Sequence, residues 1–135
     1  TGVAVVTTIH SNSCESTYRR MVSLCKRAVD MSDETLMGYV TEAYPIIVFC
    51  KQLENKQRRL MEIMECEILP DNSRHYRTLF RYEITENRYE NNQFYITGHH
   101  VTVNPISDSL CKRLLENGMP QERINLLKKG GQISA

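Results

Sequence analysis

The order of apolar and polar positions predicts a chain of short helices and strands. Residues 3–9 form an apolar run rich in β-branched side chains, which is typical of a strand buried on both faces of a parallel sheet. Apolar side chains three and four positions apart over residues 18–29 predict an amphipathic helix. A second helix is expected to be capped by Ser32 and to stop before Pro45, and residues 46–53 are expected to form the next strand.

The middle of the chain changes to a looser alternation between polar turns. Residues 59–69 suit either a helix or a strand by propensity, but the polar turns on both sides favour a strand. Residues 76–85 and 93–103 are two further predicted strands around a polar turn at 86–92, and their aromatic side chains suit a half-buried pleated surface. Three successive short strands predict an antiparallel meander.

Two short helices are predicted after the meander. Ser107 or Asp108 is expected to cap the first helix, because their side-chain oxygens can accept from the free amides of a first turn. Pro120 is expected at the first position of the second helix. The apolar residues expected to face inward are Leu110, Leu114, Leu115, Ile124, Leu126 and Leu127.

Composition and charge exclude several classes of protein. With 135 residues, of which 41% are hydrophobic, the chain is expected to form one domain with its own core. A net charge of +1 gives no large basic field, so no nucleic-acid partner is expected. No apolar run approaches the ~20 residues that span a bilayer, so no transmembrane segment is expected. The five cysteines include no Cys-x-x-Cys pair, which favours reduced thiols in the cytosol.

Thr8, His10, Asn12 and Ser13 lie at the polar end of the first predicted strand. Open α/β sheets bind ligands at the carboxyl ends of their strands, so these side chains are placed where such a sheet keeps its chemistry. The alternative is that His10 only caps a helix or satisfies a buried edge. Spacing alone leaves both interpretations open.

Residues 7–13, with the sequence Thr-Thr-Ile-His-Ser-Asn-Ser, resemble the histidine box of the type II/type IV secretion and pilus-assembly ATPases. In that family, a Thr-x-His-x-Asn-Ser pattern follows the Walker B strand. Arg20 falls ten residues after His10, at the arginine of the family's Arg-Leu pattern, and Met21 replaces the leucine. The resemblance therefore implies that this stretch faces the nucleotide in a P-loop ATPase.

The rest of the chain continues the resemblance in the same order. Residues 45–48 match the next strand of the family's sheet, residues 58–63 match its Arg-Arg-x-x-Glu-Ile segment, and residues 98–118 resemble the tail of the tight-adherence pilus branch. The chain departs from the family because it has no Gly-x-x-x-x-Gly-Lys-Ser/Thr motif and no acidic Walker B strand before Val3. The resemblance thus implies the C-terminal part of a longer ATPase domain.

The implied fold is α/β: a partial RecA-like P-loop NTPase core, without its Walker A and Walker B strands, followed by the antiparallel meander and short C-terminal helices. Within one domain, residues 1–53 would form the β-α-α-β part with the histidine box, residues 54–104 the antiparallel strands and residues 105–129 the two helices. A strand at 3–9 would then lack both neighbours, so it is expected to pair with residues 46–53 or with another molecule.

The resemblance also assigns roles to individual side chains. His10 would sense the γ-phosphate of ATP, and Thr8 would orient it. Arg20 would pair with the nucleotide site or with its acidic residues, in its own subunit or across a subunit boundary; these three form the catalytic set. Arg20 equally suits a surface arginine lying over the core, and Arg58 or Arg59 could be an arginine finger or merely flank a turn. The residues assigned to nucleotide binding or to the subunit interface are Thr7, Asn12, Ser13, Arg58, Arg59 and Glu62.

Cofactors and partners follow from the same resemblance. The bacterial parent protein would bind ATP and Mg²⁺, form a homo-hexamer, and work in the cytoplasm at the inner face of the membrane beside an inner-membrane platform protein. This chain alone is expected to bind no cofactor and to hydrolyse no ATP, because the missing motifs encode the phosphate cradle and the Mg²⁺ ligands.

Two other functions concern other surfaces of the chain, and only the first of them remains an alternative. The first is a free-standing interaction module that binds a partner through its meander and terminal helices without nucleotide. The second is a metal site at His99 and His100, which is not predicted, because adjacent residues of a strand point to opposite faces and cannot easily share one ion.

Overall fold

The chain divides into two units, Thr1–Ala43 and Tyr44–Ala135, in a computed structural model that describes residues 5–129. The first unit contains two helices, α1 (Cys14–Cys25) and α2 (Asp33–Ala43). The second unit contains one sheet and two helices. Its elements are β1 (Ile46–Gln52), β2 (Arg58–Ile68), β3 (Arg74–Glu90), β4 (Gln93–Thr102), α3 (Asp108–Glu116) and α4 (Gln121–Lys128). The predicted mixed α/β class is confirmed.

Serine side chains fix the starts of both helices in the first unit. Ser13 caps α1: its Oγ accepts from the backbone N–H of Ser16 at 3.0 Å, and the Ser16 Oγ accepts from the Ser13 N–H at 3.1 Å. Ser32 caps α2, as predicted, by accepting from the Thr35 N–H at 3.2 Å. Burial follows the predicted helical spacing as far as Cys25, where α1 ends. The prediction that this helix continues to residue 29 is wrong, because residues 26–28 form a turn and Val29 is 42% exposed. The buried residues are Cys14, Thr17, Tyr18 and Val22 on α1 and Leu36, Val40 and Thr41 on α2.

The prediction of a strand at residues 3–9 is wrong for residues 5–9, which are the part of it that the structure describes. Residues 5–9 form neither helix nor strand, and the Val6 side chain is 94% exposed; residues 3–4 lie outside the described part. A strand persists only where a neighbour satisfies its backbone groups. Because β1 pairs with β2 and not with this segment, the expected pairing with residues 46–53 is not formed within residues 5–129.

The predicted meander is confirmed, because the strands lie in the order β1-β2-β3-β4 and every neighbouring pair is antiparallel. Bulges bend a strand and increase its twist, and the sheet curls into half a barrel. Each pairing contains one register shift, at Phe49/Cys50, Ile63/Met64 and Ile84/Glu86. The described pairings include no parallel strands, so the RecA-like core stays a prediction.

The loop between β3 and β4 is much shorter than the polar turn predicted at 86–92. β3 continues to Glu90, and only Asn91 and Asn92 form the loop, with φ of 52° and 62°. Two consecutive residues at positive φ suit the twist of a two-residue hairpin, and asparagine tolerates that region better than most residues. The polar residues before the loop therefore belong to a solvent-exposed arm of the hairpin rather than to a turn.

The two C-terminal helices of the second unit bury fewer residues than predicted. Ser107 caps α3, as predicted, by accepting from a first-turn N–H at 3.1 Å, and Ile124 of α4 is 2% exposed. Pro120 is the cap of α4 rather than its first helical residue. The inward orientation predicted for Leu115 and Leu126 is wrong, since these side chains are 50% and 59% exposed. Helices of eight or nine residues bury only a narrow stripe, which these two leucines do not join.

Candidate functional site

A groove of about 590 Å³ lies on the surface of the first unit, along the exposed side of α1. Three residues singled out by the histidine-box resemblance form part of it, namely His10, Asn12 and Arg20. The full lining is His10, Ser11, Asn12, Ser16, Arg19, Arg20 and Ser23. The structure thus brings the imidazole, the amide and the arginine of the predicted set to one place. We call this surface the α1 groove.

Burial of the opposite face of α1 determines which side chains reach the groove. Cys14 is fully buried, Tyr18 is 1% exposed and Val22 is 6% exposed. Because positions three and four apart lie above one another on a helix, the serines and arginines of the groove share the other face. Any rotation that withdrew Arg19 and Arg20 would expose Tyr18. Core packing therefore presents both guanidinium groups to solvent.

Hydrogen bonds of serine side chains fix the backbone conformation at the start of α1. The hydroxyls of Ser11 and Ser16 lie 2.6 Å apart, and Ser13 and Ser16 cap the helix reciprocally. Thr17 adds a bond from its Oγ1 to the Ser13 carbonyl at 2.7 Å. These bonds satisfy polar groups of the first turn within the chain. They hold residues 10–12 beside the helix without using the imidazole or the amide.

The α1 groove carries positive charge without a compensating acid. Within residues 5–129, its imidazole, its amide and its two guanidinium groups form no hydrogen bond and no ion pair, and no carboxylate lines it. Two arginines of the sheet behave differently: Arg77 bonds Glu67 at 3.2 Å, and Arg81 bonds Glu83 at 2.9 Å. Guanidinium groups bind phosphate and carboxylate oxygens through paired N–H bonds. The groove is therefore suited to an anionic ligand.

Thr7 and Thr8 precede the groove and do not line it. Both are exposed, and no hydrogen bond joins Thr8 to His10 in the described part of the chain. The orienting role of Thr8 and the binding role of Thr7 therefore stay predictions.

Sequence reasoning missed four residues of the groove, namely Ser11, Ser16, Arg19 and Ser23. Ser16, Arg19 and Ser23 belong to α1. The spacing of these residues from Arg20, at one, three and four positions, places them on one side of α1 and could have indicated the groove.

Arg58, Arg59 and Glu62 lie on β2 in the second unit and do not line the groove. The Arg59 guanidinium carbon is 5.8 Å from the centre of the Tyr82 ring, which is a cation–π distance. Arg58 is exposed at the start of its strand, opposite Gln52. The proposed roles of these three residues at a nucleotide or an interface stay predictions.

A second depression of about 700 Å³ lies in the second unit, between the β1–β2 turn and the outer half of the β3–β4 hairpin. The rings of Tyr89 and Phe94 stand 4.8 Å apart, and 61% and 40% of these residues are exposed. Asn55 donates from Nδ2 to the Ile96 carbonyl at 3.4 Å and so joins the two sides. The lining of this hairpin cleft is Glu54, Asn55, Lys56, Gln57, Tyr89, Asn92, Gln93, Phe94, Tyr95, Ile96 and Thr97.

A buried carboxylate links β2 to the start of α3. Glu65 is 2% exposed, and its carboxylate accepts from the Ser107 backbone N–H at 2.9 Å and also from the Ser107 hydroxyl. Since Ser107 caps α3, the contact fixes where that helix begins on the sheet. Burial also raises the pKa of the neighbouring Cys66 thiol, which keeps it protonated and unreactive.

No family model matches the chain, and no curated protein matches it either. In residues 5–129, no three His, Cys, Asp or Glu side chains lie close enough together to hold a metal ion. No helix in that part of the chain has both the length and the apolar character needed to cross a lipid bilayer. The α1 groove and the hairpin cleft are the candidate functional surfaces of the described residues.

Proposed function

We propose that the chain is the C-terminal part of the ATPase domain of a bacterial secretion or pilus-assembly ATPase, which couples ATP hydrolysis to protein export or pilus assembly. The observation that carries this proposal is the α1 groove, where His10, Asn12 and Arg20 lie together without intramolecular partners in the described residues. The same residues fit the spacing of the histidine-box pattern. Sequence pattern and geometry therefore support one site.

The α1 groove suits the handling of a phosphate group. Phosphoryl transfer needs little covalent chemistry from the protein, and catalysis is mostly positioning and stabilisation of charge. In the proposal, the Arg20 guanidinium supplies fixed positive charge, and the His10 imidazole bonds a phosphate oxygen or the attacking water. Because α1 is capped at Ser13, three residues after His10, a change in this contact acts directly on the helix. His10 then senses the state of the nucleotide.

A longer parent protein supplies the remaining parts in this proposal. Its P-loop and acidic strand would hold ATP and Mg²⁺; the α1 groove has no carboxylate to offer a magnesium ion. Its strands would flank residues 5–9 and provide the hydrogen-bonded neighbours that a strand of a RecA-like sheet needs. The parent would act as a cytoplasmic homo-hexamer beside an inner-membrane platform protein, where Arg20, Arg58 or Arg59 could reach a neighbouring subunit.

Measurements of ATP turnover test this dependence on an upstream segment. We expect no hydrolysis above background by the 135-residue chain, because it contains no glycine-rich cradle and lysine. We expect hydrolysis by a longer chain that includes the segment encoded before Thr1. Steady-state phosphate release measures both chains. Turnover by the 135-residue chain, or its absence from a longer chain that carries a P-loop, would contradict the proposal.

The hairpin cleft supports a second candidate function, an interaction module that binds a partner without nucleotide. Tyr89 and Phe94 are exposed there, and aromatic side chains are enriched in protein interfaces. The gene sequence before Thr1 separates the two candidates. A P-loop within about 100 residues upstream favours the ATPase, whereas a start codon directly before Thr1 favours the module.

A further inference from the structure

We propose that Arg19 is a second phosphate-binding residue of the α1 groove. Together, Arg19 and Arg20 would select ligands with two adjacent anionic groups, such as the linked phosphates of a nucleoside diphosphate or triphosphate. The inference rests on the proposed function and extends it, because the histidine-box pattern accounts for Arg20 and leaves Arg19 without a role.

The positions of the two arginines on α1 allow both to contact one ligand. Both line the same groove. Consecutive residues of a helix are rotated by about 100°, so the two guanidinium groups approach the groove from different directions. Ser16 precedes Arg20 by one turn and Ser23 follows Arg19 by one turn. Their small side chains leave room beside the guanidinium groups for an anion.

The charges of the two arginines are not compensated within residues 5–129. Neither side chain has a hydrogen-bond or ion-pair partner there, whereas Arg88 on the β3–β4 hairpin bonds both Glu86 and Glu90. Two like charges side by side repel each other, and an anion between them removes that repulsion. A diphosphate offers each guanidinium its own pair of acceptor oxygens, whereas a single phosphate is held through one pair of oxygens by one guanidinium.

The two arginines alone are expected to bind pyrophosphate measurably, although ATP also needs the cradle encoded upstream. Binding of pyrophosphate and of orthophosphate to the 135-residue chain tests the inference. Isothermal titration calorimetry compares the unmodified chain with Arg19→Gln, Arg20→Gln and Arg27→Gln. Arg27 is the matched control, because it is also an exposed arginine, in the turn directly after α1, but does not line the groove. Circular dichroism of each variant checks that the helices remain.

We expect Arg19→Gln to weaken pyrophosphate binding by about tenfold or more, because one charge-assisted bidentate contact is lost. Orthophosphate binding should weaken by no more than about twofold in the same variant, since Arg20 still serves a single phosphate. Arg27→Gln should leave both affinities within about twofold of the unmodified chain, as expected for a distant exposed charge.

Three results would overturn the inference. One is equal pyrophosphate affinity in the unmodified chain and Arg19→Gln, with weaker binding in Arg20→Gln. This result would show that Arg19 does not bind phosphate, and it would leave the proposed function intact. Equal losses of pyrophosphate affinity in Arg19→Gln and Arg27→Gln would show that only the net charge of the chain matters. Absence of pyrophosphate binding by the unmodified chain would show that the groove is not a diphosphate site. ATP turnover by the longer chain would still test the proposed function separately.

Discussion

At the scale of single residues, Glu65 differs from Arg20 and His10 in burial and in hydrogen bonding within the described part of the chain. Glu65 is buried, and Ser107 donates to it from both its N–H and its hydroxyl. Arg20 and His10 are exposed, line the α1 groove and have no partner among residues 5–129. Their removal should therefore affect binding and activity, whereas removal of Glu65 should affect stability.

Replacing Glu65 with alanine should lower the free energy of unfolding by roughly 1.5–3 kcal/mol, because two buried donors of Ser107 lose a charged acceptor. Urea denaturation measures the change. Glu90→Ala is the matched control, since Glu90 is 57% exposed and bonds Arg88 at the surface. Its removal should change the unfolding free energy by less than about 0.5 kcal/mol. Equal effects of both variants would refute the structural role of Glu65.

Local spacing explains which of these residues the sequence could predict. His10, Asn12 and Arg20 fall within eleven positions, so a short pattern was enough to group them, and the structure places them in one groove. Glu65 and Ser107 are 42 residues apart and meet only when α3 packs on the sheet. No short pattern records such a contact, and it was therefore not predicted.

At the scale of elements, each strand of residues 5–129 forms where a neighbour is close along the chain. β1 to β4 each pair with the next strand in sequence, which is why alternation and polar turns were enough to predict the meander. Residues 5–9 have a strand-like composition but no adjacent strand in the described part, and they form no strand. Composition predicts a preference, whereas pairing decides whether the strand exists.

The contact between α3 and α4 should depend on pH. Asp108 accepts from the Lys128 Nζ at 2.6 Å, which lowers the pKa of the Asp108 carboxyl and raises the pKa of the Lys128 ammonium. The Asp108 contribution to stability is therefore present above its unfolded pKa and is lost as the pH falls through the lowered folded value. The Lys128 contribution is present below its unfolded pKa and is lost as the pH rises through the raised folded value.

Thermal melting of Asp108→Asn across pH tests this contact. The unmodified chain should melt at a higher temperature than the variant near neutral pH, and the difference should vanish in acid below the lowered pKa of Asp108. High salt should reduce the difference, because the pair is exposed. Asp30→Asn, at another exposed acid, is the control. A difference that persists unchanged in strong acid would contradict the assigned ion pair.

At the scale of the whole molecule, the two units present different kinds of surface. The first unit has a basic groove without acidic lining residues, and the second has a cleft with aromatic and amide side chains. The net charge of +1 does not indicate a basic groove, because acidic residues elsewhere in the chain balance the charge of its arginines. Overall composition therefore could not predict the site, whereas the spacing of residues on α1 could. The hairpin cleft joins segments 41 residues apart, as the bond between Asn55 and Ile96 shows. A pattern of nearby residues in the sequence therefore could not predict it.

The rate of ATP hydrolysis by a longer chain carrying His10→Ala tests the central claim most directly. The claim is that this imidazole, held beside α1, contacts a nucleotide bound by an upstream P-loop. We predict that His10→Ala lowers the rate by roughly 100–1,000-fold, the range expected when one positioned donor near the reacting group is lost. Arg27→Ala should keep the rate within about twofold. A His10→Ala protein that folds and hydrolyses ATP at the unmodified rate would contradict the account.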